Sequence, residues 1–137
     1  MKRVLHFAVV LVSLLLVPVA GMAAKSPMTV NGATTVTVEE AVELFDQGVV
    51  FVDVRKPTDF DAGRIPGAVH LDSKSAFNEA ALEEVVAKNA PVVIYCNGDD
   101  CMRSSETSAL AVSWGFTNVY YLRDGYPAWE AAGHPVE

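Results

Sequence analysis

A chain of 137 residues with 17 acidic against 10 basic side chains carries a net charge of −7, which argues against nucleic acid and anionic headgroups as partners. Its length suits one domain that buries its core without metals or multiple disulfides. The 51% hydrophobic share is partly the contribution of the N-terminal segment, and the remainder has an ordinary globular composition.

That segment has the three parts of a secretory signal over residues 1–23: a basic start at Lys2 and Arg3, an apolar run from Phe7 to Val19, and small residues at Gly21-Met22-Ala23-Ala24. Cleavage is expected after Ala23 or Ala24, with a periplasmic or secreted product. Ser13 and Pro18 interrupt a run already short for a bilayer span, so no stable membrane insertion is expected after cleavage. The mature chain of about 113 residues then holds 8 basic against 17 acidic side chains, or −9. Such a protein repels small anions unless its site supplies local positive potential.

Residues 24–33 read as a short flexible tail, and the domain is expected over 34–137. Thr37-Val38-Glu39-Glu40 fits a capping box, followed by a helix with Ala41, Val42, Leu44 and Phe45 inward that stops at Gly48. Val49 to Val54 is an almost unbroken apolar, β-branched run, the pattern of a parallel strand covered on both faces. Two prolines and two glycines make 55–67 a loop with one helical turn around Thr58 to Ala62. A short strand is expected at Ala68 to Leu71, and a helix from Asn78 to Lys88 with Ala81, Leu82, Val85 and Val86 inward. Pro91 to Tyr95 is the second buried strand. A helix follows from Met102 or Arg103 to Trp114, its apolar pattern being Ala109, Leu110, Val112 and Trp114, and Gly115 ends it. Val119 to Leu122 makes the last strand and Tyr126 to Ala132 the closing helix. Strands alternating with helices predict a three-layer α/β domain with a central parallel sheet flanked by helices.

Open parallel sheets bind ligands beyond the carboxyl ends of their strands, where loops enter helix N-termini. Cys96 stands at such a point: it follows a buried strand, and Asn97-Gly98-Asp99-Asp100-Cys101-Met102-Arg103-Ser104 leads into a helix. Unpaired backbone N–H groups there favour a thiolate and bind anions, and Arg103 adds a fixed positive charge. Cys96 is therefore the candidate nucleophile and 97–104 the candidate substrate-binding loop. Asp99 and Asp100 lack further ligands at suitable spacing, so no metal is assigned, and no cofactor is expected. Ser104 is read as a helix cap. His70 is read as a satisfied core or rim residue and His134 as exposed, while Trp114, Trp129 and the Tyr120-Tyr121 pair are read as packing residues.

The stretch from Cys96 to Ser104 resembles single-domain rhodaneses, a sulfurtransferase family with a strand-end cysteine, a tight loop, an Arg-Ser or Arg-Thr pair and a helix. Asp53-Val54-Arg55, Gly63-Arg64-Ile65-Pro66-Gly67-Ala68 and Leu122-Arg123-Asp124-Gly125-Tyr126-Pro127-Ala128-Trp129 fall in the family's order. The resemblance implies a rhodanese-like domain in which Cys96 takes sulfane sulfur from a donor such as thiosulfate, holds it as a persulfide and passes it to cyanide or a thiol. The partners implied are a small sulfur-containing substrate or a protein thiol, met by a monomer. Arg103 would assist donor binding, and Asp53 and Arg55 would be structural.

Three features depart from the pattern. Cys96 and Arg103 are seven steps apart where the family has five and related phosphatases have six. Asp99 and Asp100 place negative charge where an anionic donor approaches, and Asp124 replaces the first of two glycines. Cys101, five positions after Cys96, opens a second reading in an oxidising compartment: the two form a disulfide, or one resolves a sulfenate or persulfide on the other. The alternative is thus a redox-active or disulfide-locked binding module on the same fold.

Overall fold

The computed structural model describes Gly21 and residues 24–137, so the signal expected at 1–23 lies, Gly21 apart, outside the described residues. In chain order the elements are β1 (Ala33–Thr35), α1 (Val38–Asp46), β2 (Val50–Asp53), α2 (Pro57–Ala62), β3 (Val69–His70), α3 (Glu79–Val85), β4 (Val92–Tyr95), α4 (Arg103–Ser113), β5 (Val119–Leu122) and α5 (Gly125–Ala131). The five strands form one sheet in the order β1-β5-β4-β2-β3, and every neighbouring pair is parallel.

Local signals account for the element ends. Thr37 and Glu40 form the reciprocal capping box at the start of α1, and the Asn78 side chain caps α3 through the Ala81 N–H at 2.9 Å. Pro57 opens α2, where its missing N–H costs nothing. The helix expected to run to Lys88 stops at Val85, because Val86 is already extended and turns its side chain into the core.

The pleat divides the sheet's side chains between two cores. Phe51, Val93 and Tyr95 face α1 and α5, packing with Val38, Ala41 and Trp129. Val52, Val54, Val92, Ile94 and Cys96 face the other way, onto Leu82 and Val86 from the α3 region and Ala111 and Phe116 from the α4 region. This is the expected three-layer arrangement.

Two further segments depart from expectation. The strip expected to line α4's inner face is partly outward: Ala109 is exposed and Leu110 is 45% exposed, while Ser104, Ser105, Thr107, Ser108 and Ala111 are buried. Small residues let the helix lie close on the sheet, and this close approach outweighs the apolar period. Ser105 and Thr107 satisfy their hydroxyls on the Met102 and Arg103 carbonyls at 2.9 and 2.6 Å. The second departure is the expected tail at 24–33. Ala33 already pairs with Val119 in β1, Ser26 and Val30 are buried, and the Tyr121 hydroxyl donates to the Pro27 carbonyl at 3.1 Å.

Candidate functional site

From β2 the chain moves to β3 at one edge, then returns to β4 on the other side of β2 and continues to β5, beside which the first strand, β1, forms the opposite edge. The order reverses between β2 and β4, so a crevice opens beyond their carboxyl ends, the place where open parallel sheets bind ligands. Cys96 directly follows β4, and Val54 and Arg55 directly follow β2, with the Val54 N–H bonded to the Tyr95 carbonyl at 3.2 Å.

Cys96 is 1% exposed and is disulfide-bonded to the half-buried Cys101. The pair closes the loop 96–101, which turns through a Cys101 N–H bond to the Gly98 carbonyl at 3.0 Å. Both cysteines of the chain are engaged, so neither is a free thiolate in this state.

The loop is anchored from three directions. On the β2 side, Asn97 accepts from the Arg55 guanidinium at 3.2 Å and donates to the Asp59 carboxylate at 2.8 Å. Arg55 and Asp53 form a buried ion pair at 2.7 Å, and Arg55 also donates to the Gly63 carbonyl at 2.6 Å. From α5, the Tyr126 N–H donates to the Cys96 carbonyl at 2.9 Å. From the N-terminal segment, Lys25 bonds the Asp100 carboxylate at 2.5 Å and Asp99 at 3.3 Å, while the Ser26 N–H donates to the Asp99 carbonyl at 2.7 Å. Arg123 holds the Ser26 carbonyl at 2.9 and 3.1 Å. Bonds to Asp100 and then Asp99 raise the Lys25 ammonium above the ordinary lysine value, so its charge offsets part of that of the acidic pair.

Among the expected loop residues, Gly98 adopts φ +104° and Met102, 39% exposed, is the N-cap of α4 without a side-chain cap bond. Ser104 does not cap: it lies inside α4, fully buried, and its hydroxyl has no partner among the described residues. Arg103 donates to the Asp72 carboxylate at 2.8 Å and to the Val54 carbonyl at 3.4 Å, so it bridges α4 to the loop after β3. Of the residues read as bystanders, His70 meets the Arg55 carbonyl at 2.8 Å and stacks on Phe60. His134 is half-buried rather than exposed, because it lies against Trp129 at 5.1 Å. Among the described residues no cluster of His, Cys, Asp and Glu is placed to hold a metal.

Asp72 and Lys25 were missed in the sequence. A carboxylate just after a short strand was a usable signal for Asp72, whereas nothing local pairs Lys25 with residues 74 and 75 positions away. The Lys74 backbone N–H first, then the charge of Arg103, holds the Asp72 carboxyl below the usual carboxylate range against an opposing effect of burial. A depressed carboxyl contributes stability above its unfolded pKa, about 3.9, and loses it as pH falls through the folded value. Asp72→Asn is therefore expected to cost about 1–2 kcal/mol at neutral pH. The gap from the parent should close as pH falls below about 4 in urea denaturation, and a gap independent of pH would contradict this assignment.

Comparison with known proteins places the arrangement. The family described as Rhodanese-like domain matches residues 37–132. The thiosulfate sulfurtransferase GlpE of Pseudomonas syringae pv. syringae is 36% identical over 102 residues, covering 72% of this chain and 88% of that protein. The human single-domain sulfurtransferase TSTD1 superimposes with a TM-score of 0.62 at 26% identity, covering 72% of this chain and 96% of that one. The Alr3790 protein of Anabaena gives a TM-score of 0.65 at 25% identity, over 74% of this chain and 90% of that one.

Proposed function

The chain belongs to the rhodanese-like domain family, and from that premise we propose that it is an exported sulfurtransferase whose Cys96 accepts and donates sulfane sulfur once its bond to Cys101 is reduced. The observation that carries this reading is the position of Cys96, at the end of the central strand β4 in the crevice where the sheet order reverses.

The reaction begins when a thiol reductant opens the disulfide and leaves Cys96 as thiolate. Its Sγ attacks the outer sulfur of a donor such as thiosulfate; the S–S bond of the donor breaks, sulfite leaves with the electron pair, and Cys96 carries a persulfide. An acceptor thiophile then takes the outer sulfur and restores the thiolate. The uncapped start of α4 supplies local positive potential for the anionic donor. Arg103, tied to Asp72, positions the start of that helix rather than reaching across the loop. Lys25 supports donor approach by offsetting Asp99 and Asp100.

The test is mass spectrometry of the mature protein after reduction, exposure to thiosulfate and alkylation. Release of sulfite is expected, with gain of one sulfur atom on Cys96 when Cys101→Ser removes its partner, and both are lost in Cys96→Ser. Reduced protein that neither releases sulfite from thiosulfate nor, as Cys101→Ser, takes up sulfur from any sulfane donor would overturn the reading. It would favour instead the disulfide-locked binding module, which the closed loop and its N-terminal anchor support. Export to the periplasm or beyond is part of the proposal, and the recovered protein should begin at Ala24 or Lys25.

A further inference from the structure

The proposed turnover uses Cys96 and leaves Cys101 without a part. The fold brings the two Sγ atoms into bond with β4 and α4 both formed on either side of the loop, so the bond needs no element to unfold. Exposure is uneven: Cys96 is 1% exposed among Val52, Val54 and Ile94, whereas Cys101 is half-buried and adjoins the exposed Met102.

We infer that Cys101 is a resolving cysteine that expels the stored sulfur as hydrosulfide, so that the protein reduces sulfane sulfur at the expense of a dithiol. This rests on the persulfide reading of Cys96. In the persulfide the inner sulfur is the Cys96 Sγ itself, the atom to which Cys101 is bonded in the structure. Attack of the Cys101 thiolate on that atom forms the Cys96–Cys101 bond and breaks the bond to the outer sulfur, which departs with the electron pair as hydrosulfide. The disulfide in the structure is the product of this step.

Resetting requires an external dithiol, such as a reduced dithiol protein. One of its thiolates attacks the more accessible Cys101 Sγ, releasing Cys96 as thiolate; its second thiol resolves the mixed disulfide and frees Cys101. Thiosulfate and the dithiol are thus converted to sulfite, hydrosulfide, the partner's disulfide and one proton. Thiosulfate gains two electrons and the dithiol loses two. The exposure difference fixes the order, because attack at Cys101 leaves the buried Cys96, the residue that must load sulfur, as the leaving thiolate.

The experiment reduces the full mature protein, removes the reductant under anaerobic conditions and adds thiosulfate for a single turnover. Sulfite, hydrosulfide and the state of both cysteines are then measured. Expected for the parent are about equal yields of hydrosulfide and sulfite, with the disulfide reformed. In Cys101→Ser the ratio of hydrosulfide to sulfite is expected to fall at least about tenfold, with sulfur retained on Cys96 until thiol is added. Using a ratio within each protein removes the effect of a variant that loads less sulfur, and trapping the reformed disulfide in the parent needs no variant. A parent that releases sulfite and accumulates a stable Cys96 persulfide without hydrosulfide would sink the resolving role and leave the sulfurtransferase standing. An unchanged ratio in Cys101→Ser would have the same meaning. Absence of both sulfite and persulfide in the reduced parent would remove the sulfurtransferase reading itself, and this inference with it.

Discussion

Replacement of Asp53 by alanine is expected to destabilise the protein by about 3–5 kcal/mol, the cost of removing one partner from a buried ion pair. Asp53 is fully buried and the Arg55 side chain is 3% exposed. Three bonds at 2.7–3.0 Å join guanidinium and carboxylate, and the carboxylate also takes the Arg55 N–H at 2.9 Å. Without it, Arg55 keeps the Gly63 carbonyl, Asn97 and the ring of Tyr126 at 4.5 Å, which leave a buried cation without its counter-charge. Burial first, then the nearby Asp53, raises the Tyr95 hydroxyl above its ordinary value, so that group stays neutral and cannot replace the lost anion. Domains of this kind are stable by only about 5–15 kcal/mol, so the loss is a large fraction of the total. Urea denaturation measures it. The double variant Asp53→Ala, Arg55→Met should recover part of the loss by removing the orphaned charge. A single-variant cost below about 1 kcal/mol would show that the pair does not act as a buried unit.

Gly125→Ala is expected to damage both stability and sulfur loading. Gly125 has φ +67°, and a Cβ there would stand 2.3 Å from the Cys96 carbonyl oxygen and 2.5 Å from the Gly98 nitrogen. Both neighbours are backbone of the reactive loop, so relief requires moving the loop rather than turning a side chain. Left-handed strain of roughly 1–3 kcal/mol adds to a packing clash of similar size. Because the Cys96 carbonyl accepts the Tyr126 N–H, the displacement reaches the nucleophile, and loading should slow by about 100-fold. Gly48→Ala separates the causes. Its φ of +78° is comparable but nothing lies within 4 Å of the added atom, so only the strain of roughly 1–3 kcal/mol is expected, with loading unchanged. Equal effects of the two substitutions on loading would refute the close approach at Gly125. The departure of Asp124 from a paired glycine is tolerated for the same reason: Asp124 is exposed with φ −69°, and Gly125 alone meets the loop.

Nearest-neighbour chemistry made much of the molecule legible. The apolar runs at 49–54 and 91–95, the capping box at Thr37 and the turn after Trp114 each announce an element through its own residues, and their alternation dictates a parallel sheet. Cys96 could be singled out because a strand end running into a helix start is itself a local pattern. α4 was misread on one face because periodicity counts apolar atoms, whereas the sheet selected small Ser and Thr side chains for close contact.

What remained open were contacts between residues far apart in the chain. Lys25 closing on Asp99 and Asp100, Arg103 turning to Asp72, and Asn97 bridging Arg55 and Asp59 depend on which loops share one end of the sheet. The sequence by itself determined the strands β2 to β5, the helices and the place of the candidate nucleophile, because propensity, capping and pattern act within a few residues, whereas β1 exists only through its pairing with β5. Only the tertiary structure decided between two free thiols and a bonded pair at Cys96 and Cys101. That choice depends on how β4, α4 and the N-terminal segment fix the path of the loop, and thus on distances that spacing leaves free.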